Sequence, residues 1–256
     1  MKKRSQTAGR SQAADLISIG KNDRVFVLTG AGVSAESGLA TFRDSGGLWH
    51  GHRVEEVATP EAWYTNAELV WQFYSMRRRN ALSAQPNPAH LALARLEEKL
   101  GDRFFLCTQN VDDLHERAGS KRVVHMHGEL FRSRCELCDA LPFEDTAVYE
   151  RKAEIARCSC GARIRPHIVW FGEVPLEMPR IMQELDRCTV LIVVGTSGVV
   201  QPAASFVHWT AARYLNGGPM IHTYYVGPES PANSSGFSRS FLGKAGEILP
   251  HLLDVR

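Results

Sequence analysis

The sequence predicts an α/β fold: a doubly wound parallel sheet with a smaller lobe made of a helical insert and a four-cysteine module. Three observations predict it. Short apolar, β-branched runs stop at polar or glycine clusters, as strands buried on both faces do. Helical stretches lie between several of them, the alternation that builds a parallel sheet. Two segments, about residues 46–86 and 129–164, break that rhythm and read as inserts that leave the sheet and return.

The first run is "DRVFVLTGAG", a buried parallel strand ending in glycines. "RFFLCTQN", "RVVHMHG" and "CTVLIVVGTS" repeat the design, and "PMIHTYYVG" is a fainter fifth. "NPAHLALARLEEKLG" reads as a helix with an Asn87 cap, Pro88 at its first position and Gly101 at its end. "QPAASFVHWTAARYLNGG" and "SFLGKAGEILPHLL" also read as helices, with Pro250 late in the second. A single domain over 1–256 is expected. Its sheet lobe takes about 20–45, 87–128 and 165–256, the small lobe about 46–86 and 129–164, and 1–19 is a tail.

Hydrophobic residues make up 44% and charged residues 23% of the 256, ordinary for a soluble globular chain. Thirty Lys and Arg against 28 Asp and Glu leave +2, so no global field drives it onto nucleic acid or a membrane. The longest apolar strip, "TVLIVVG", is too short to span a bilayer. The start, "MKKRSQTAGRSQAAD", has no apolar h-region and no clear amphipathic period. It reads as a disordered cytoplasmic tail rather than a transit peptide.

"GAGVSA", Gly30 to Ala35, matches G-x-G-x-x-A between a strand and a helix, where backbone amides donate to a pyrophosphate. A plain dehydrogenase would continue into a second strand ending in an acid. Here Thr41, Phe42, Arg43 and Asp44 form a polar and aromatic loop instead, which argues against hydride transfer. Cys135-x2-Cys138 and, after nineteen intervening residues, Cys158-x-Cys160 are spaced as a zinc site. Four thiolates close a tetrahedral shell, so the metal is structural. Cys107 and Cys188 lie in or beside apolar runs and read as core.

"TQNVDDLHERAG" puts Gln109, Asn110 and Asp112 at a strand's C-terminal end, where α/β sites lie. "VVHMHGELF" places His127 at a strand end beside that loop, the candidate for proton exchange near neutral pH. In "WQFYSMRRRNAL" Tyr74 and Arg77 share a helical face, whereas Arg78 and Arg79 are rotated away and read as solvated or surface-paired.

"GAGVSAESGLATFRD", "TQNVDDLHERAG", "VHMHGELF", the four cysteines, "RPHIVWFGE" and "VGTSGVVQPA" occur in the order found in sirtuins, over about residues 20–253. The chain resembles the class III, bacterial-type branch of these NAD-dependent protein deacylases. The resemblance implies a Rossmann-like lobe, a zinc lobe, and a cleft that admits NAD and an acyl-lysine. It implies NAD contacts from Gly30, Ala31, Gly32, Ala35, Glu36, Thr41, Phe42 and Arg43, with Gln109, Asn110 and Asp112 at the nicotinamide ribose. Gly195, Thr196, Ser197 and Ala245 complete the cofactor side. Val169, Phe171, Gly172 and Glu173 match the strip that pairs with substrate backbone, and His127 the general base on a ribose hydroxyl. "YSMR" resembles the Tyr-x-x-Arg whose pocket accepts acyl chains ending in a carboxylate.

The expected activity is removal of acetyl, succinyl or malonyl groups, with nicotinamide and O-acyl-ADP-ribose released. NAD is the co-substrate, one zinc is structural, and acylated proteins are the partners. A cytoplasmic monomer without a nucleic-acid or membrane partner is expected. A mono-ADP-ribosyltransferase or NAD hydrolase on the same scaffold is the rival enzyme, and a zinc-ribbon nucleic-acid binder the rival of another class. One departure stands out. Gly227 occupies the place where the family usually has an Asn at the adenosine ribose, leaving either weaker NAD binding or a substitute such as Asn233.

Overall fold

A computed structural model describes residues 16–41 and 49–256, so Phe42 and Arg43 lie outside the described residues. Along the chain run β1 (Ile17–Ile19), β2 (Val25–Thr29), α1 (Ala31–Ala35), α2 (Val54–Val57), α3 (Pro60–Ser83) and α4 (Pro88–Leu100). Then come β3 (Phe104–Thr108), α5 (Leu114–Arg117), β4 (Val123–His125), β5 (Gly128–Cys135), β6 (Phe143–Glu144) and β7 (Ile164–Ile168). The last third holds α6 (Met178–Arg187), β8 (Val190–Val194), α7 (Phe206–Leu215), β9 (His222–Gly227), β10 (Arg239–Leu242), α8 (Ala245–Leu252) and β11 (Leu253–Val255).

Six strands form one sheet in the order β10-β9-β8-β2-β3-β4, and every pairing in it is parallel. All five residues of β2, β3 and β8 are buried, which is why each reads as an unbroken apolar run. The order reverses at β2, flanked by β3 on one side and β8 on the other. At such a switch point the strand ends splay and leave a crevice at their carboxyl side. α4 is bounded as its sequence demands. Asn87 Oδ1 accepts from Ala89 N at 3.0 Å, Pro88 opens the helix, and Gly101 closes it at φ 56°.

Three elements differ from the sequence reading. Ile17–Ile19, inside the expected tail, form β1 and pair parallel with β11, with Ile17 and Ile19 buried in the core. Residues 239–242 pair with β9 as a parallel edge strand, so the helix expected over "SFLGKAGEILPHLL" begins only at Ala245. The helix expected from Gln201 begins at Phe206, after a 3₁₀ turn at Ala203–Ser205.

The two inserts share a second core. Trp63, Val70, Trp71 and Tyr74 of α3 pack with Leu130, Tyr149, Ile164 and Trp170. β5 pairs antiparallel with β6 and β7, so residues 164–168 belong to this small sheet rather than to the main one.

Arg78 overturns its expected surface role. It is 0% exposed and pairs with Asp145 at 3.3 Å, while its guanidinium donates to Leu130 O at 2.8 Å, Ala147 O at 2.5 Å and Ser133 Oγ at 3.2 Å. The zinc module wraps the face of α3 that helical geometry alone assigns to solvent. Arg79 is exposed and pairs with Glu150 at 2.9 Å, as expected. No helix among the described residues is long and apolar enough to cross a membrane.

Candidate active site

The crevice is built from two backbone turns in contact. Gly32 N–H bonds to Gly195 O at 2.8 Å, and Gly30 N–H to Val194 O at 3.0 Å. A Cβ on Gly32 would sit 2.8 Å from Gly195 O, and one on Gly195, at φ +64°, would sit 2.5 Å from Val33 N. Both positions therefore require glycine. Ala31 and Ala35 are the exposed ends of the five-residue α1. Glu36 accepts from Gly246 N at 2.9 Å beside the buried Ala245, tying α1 to α8. Thr41, Thr196 and Ser197 are half-buried.

Gly227 ends β9, and a Cβ there would lie 2.3 Å from Tyr225 Oη. That hydroxyl donates to Thr196 O at 3.2 Å. Tyr225 thus fills the space a larger residue at 227 would need. Asn233 lies against the neighbouring Gly195–Gly198 turn, with Ala232 N–H bonded to Ser197 O at 3.0 Å. Its Nδ2 donates to Ala204 O at 2.7 Å, and its buried Oδ1 has no hydrogen-bond partner among the described residues.

The loop after β3 is cross-linked to α1. Asn110 N bonds to Thr108 Oγ1 at 3.0 Å, and Asn110 Nδ2 donates to Ser34 Oγ at 3.0 Å. Ser34 Oγ donates in turn to Asp112 Oδ2 at 3.0 Å, while Leu114 N–H caps the other carboxylate oxygen at 3.2 Å. Burial raises the Asp112 pKa, opposed by those two hydrogen bonds and by the charges of His125 and Arg77. Ser34 was missed by the sequence reading, although its place inside the glycine motif was the available signal.

His127 does not end β4, which stops at His125; it sits at the junction with β5. Its Nδ1 is 3.2 Å from Gln109 O, so the ring donates there and Nε2 keeps its lone pair. Burial lowers its pKa, and the hydrogen bond to Gln109 only partly opposes this. His125 is occupied, with Nδ1 on Asn110 O at 3.0 Å and Nε2 on Glu116 at 2.7 Å.

On the opposite wall Val169 N–H bonds to His127 O at 2.9 Å and Phe171 N–H to Ala58 O at 3.0 Å. Phe171 is 48% exposed, and Gly172 takes a left-handed φ of 91°. The Glu173 carboxylate is engaged by Arg165 at 2.7 and 2.9 Å, Arg134 at 3.2 Å and Trp170 N at 2.8 Å. The sequence reading also missed Arg165, which only the folded strip shows to be its anchor. Tyr74 is fully buried, and the half-buried Arg77 lies over the Trp49 ring at 4.2 Å and beside the Tyr74 ring at 5.6 Å. Arg77 Nη1 is buried without a hydrogen-bond partner among the described residues. Burial lowers the Arg77 pKa, opposed by the nearby Tyr74 and Asp112, yet a guanidinium stays charged.

Cys135, Cys138, Cys158 and Cys160 bring their sulfurs within 4.8 Å of one another, with Cys135–Cys160 and Cys138–Cys158 both at 3.6 Å. A tetrahedral zinc with bonds near 2.3 Å sets sulfurs about 3.8 Å apart, so the four residues fit that ion. Cys107 and Cys188 are buried core residues, and burial pushes the Cys188 thiol up to about 12.

Comparison with known proteins agrees with this geometry. Residues 30–202 match the Sir2 family. A protein of Salmonella typhimurium named NAD-dependent protein deacylase is 48% identical over 237 residues, 91% of this chain and 84% of that one. One of the same name from Pasteurella multocida is 47% identical over 241 residues, 91% and 97% of the two chains. The crystal structure of a Sir2 homologue–NAD complex is 42% identical with a TM-score of 0.77, covering 90% of this chain and 88% of that one. The chain belongs to the Sir2, or sirtuin, family.

Proposed function

We propose that this chain is an NAD-dependent protein-lysine deacylase that removes acetyl and succinyl or malonyl groups and releases nicotinamide and O-acyl-ADP-ribose. The orientation of His127 carries the proposal: Nδ1 is spent on Gln109 O, and burial keeps the ring uncharged at neutral pH. An uncharged imidazole with a free Nε2 is a competent general base. Relatives at 48% and 47% identity named NAD-dependent protein deacylase support the same reading.

Bound NAD supplies an electrophilic ribose carbon and a leaving nicotinamide. His127 takes the proton of a ribose hydroxyl, and Asn110 and Asp112, braced by Ser34, flank the nicotinamide ribose. Gly30, Gly32 and Gly195 let the backbone approach the pyrophosphate, and Ala31, Ala35, Glu36, Thr41, Gln109, Thr196, Ser197 and Ala245 complete that side; the family resemblance alone assigns NAD contacts to Phe42 and Arg43, which lie outside the described residues. Val169, Phe171 and Gly172 receive the substrate backbone, and Glu173 holds the strip in place through Arg165. Tyr74 and Arg77 receive an acidic acyl end. The four cysteines hold a structural zinc. A cytoplasmic monomer acting on acylated proteins, without nucleic acid or membrane, fits the net charge of +2.

The test is incubation with NAD and acyl-lysine peptides, followed by mass. The peptide should lose its acyl mass as ADP-ribose gains it. ADP-ribose attached to protein, or free ADP-ribose with intact peptide, would return the rival NAD-consuming reading.

A further inference from the structure

Trp170 stands between Val169 and Phe171 but is only 2% exposed, its side chain turned into the second core. Its Nε1–H donates to Tyr74 Oη at 3.1 Å. The indole is clamped. The Arg165 guanidinium lies 3.4 Å over it, Trp63 stands 5.9 Å away between ring centres, and Trp170 N bonds to the Glu173 carboxylate that Arg165 grips.

An indole N–H only donates, so the phenol oxygen must accept from it and aim its own proton elsewhere. Arg77, the charged neighbour, is also donor-only and offers that proton no acceptor. Among the described residues the Tyr74 hydroxyl donates to nothing, and its burial, the largest influence on it, raises the phenol pKa and so keeps the proton in place. A carboxylate is acceptor-only and complements this arrangement. An acetyl methyl does not.

We propose that Trp170 is a positioning residue for acyl selectivity: its indole N–H fixes Tyr74 as a hydrogen-bond donor toward the terminal carboxylate of an acidic acyl chain. This rests on the reading that Tyr74 and Arg77 receive that chain. The indole makes no contact with the reacting atoms, and its effect belongs to binding of the acidic group.

Steady-state kinetics of the full chain with NAD, on succinyl- and acetyl-lysine peptides of one sequence, tests it. Trp170→Phe keeps the stacked ring and removes the N–H. The succinyl-to-acetyl ratio of kcat/KM should fall roughly two- to tenfold, mainly through KM for the succinyl peptide, the range of one neutral hydrogen bond. Tyr74→Phe should lower the same ratio, and Trp170→Phe should lower it no further in that background. A ratio unmoved by Trp170→Phe, or two effects that multiply, would overturn the proposal and leave Trp170 a packing residue. Should Trp170→Phe not fold, benzothienylalanine at 170 deletes the N–H at constant shape, with the same outcomes expected. Arg77→Met separates the layers. A ratio that falls with Arg77→Met but not with Trp170→Phe removes only the role of Trp170, whereas one unmoved by Arg77→Met removes the acidic-pocket reading and this inference with it.

Discussion

Arg78 and Asp145 face each other 3.3 Å apart with side chains 0% and 6% exposed, joining α3 to the loop that follows β6. Arg78 also satisfies the carbonyls of Leu130 and Ala147, so its removal strands a buried carboxylate and several acceptors together. Arg78→Met should cost about 3–5 kcal/mol, the range for breaking a buried ion pair. Arg79→Ala should cost little, because its partner Glu150 is exposed. Thermal melts of the two variants check this, and equal melting temperatures would refute it.

His127→Ala should lower deacylation on the order of 10²–10⁴-fold while NAD binding, followed by calorimetry, largely persists. The pH profile has a definite sign. The neutral ring is the active form and burial lowers its pKa from 6.5, so kcat/KM should be flat through neutrality and fall only on the acid side, below pH 6.5. A limb above pH 6.5, or near-normal turnover of a folded variant, would take His127 out of the mechanism.

What was legible follows from which interactions are local. β2, β3 and β8 bury both faces, so their apolar runs announce them. The α4 caps are local too. β10 has the burial pattern of an edge strand and lies directly before a helix, so nothing local separates it from that helix. Helical spacing correctly put Tyr74 and Arg77 on one face, but it could not tell that the loop carrying Asp145 covers the face of Arg78. Arg165 escaped for the same reason, since its partner Glu173 is recognised only once the chain has folded, and the glycine motif marked the place of Ser34 but not its partner Asp112.

One zinc per chain should be found by metal analysis, bound at Cys135, Cys138, Cys158 and Cys160. Between Cys135 and Cys158 the only strand is the two-residue, exposed β6 and the only helical turn a 3₁₀ turn at Lys152–Glu154, so this stretch has little secondary structure of its own. Structural zinc contributes directly to folding, and chelation should loosen the second core before the six-stranded sheet. Tryptophan fluorescence reads this order, because Trp63, Trp71 and Trp170 all lie in that core. An unchanged melting profile in metal-free protein would count against it.

Gly227→Asn, which restores the residue usual in the family, should destabilise this chain rather than improve it. The new Cβ would lie 2.3 Å from Tyr225 Oη, a buried group already bonded to Thr196 O. Overpacking of this kind costs typically 1–3 kcal/mol, and displacing Tyr225 would disturb the Thr196 turn as well. A lower melting temperature and weaker NAD binding by calorimetry are expected. Tighter binding with unchanged stability would show that Tyr225 yields freely.

Arg77→Met should shift acyl preference away from acidic chains. The guanidinium is held over Trp49 at 4.2 Å, its Nη1 is buried without a hydrogen-bond partner among the described residues, and Tyr74 lies beside it. A succinyl carboxylate would accept from the guanidinium fork and from the phenol, relieving the cost of that buried donor. Hydrogen bonds to charged groups contribute roughly 1.5–3 kcal/mol, about ten- to over a hundredfold in affinity. An acetyl group gains nothing from the charge. Methionine keeps much of the volume against Trp49 and removes every donor. The wild-type chain should therefore hydrolyse succinyl- or malonyl-lysine at least as well as acetyl-lysine, and Arg77→Met should lower the succinyl-to-acetyl ratio of kcat/KM at least tenfold. Equal loss on both substrates, or none on either, would make Arg77 a packing residue of the second core.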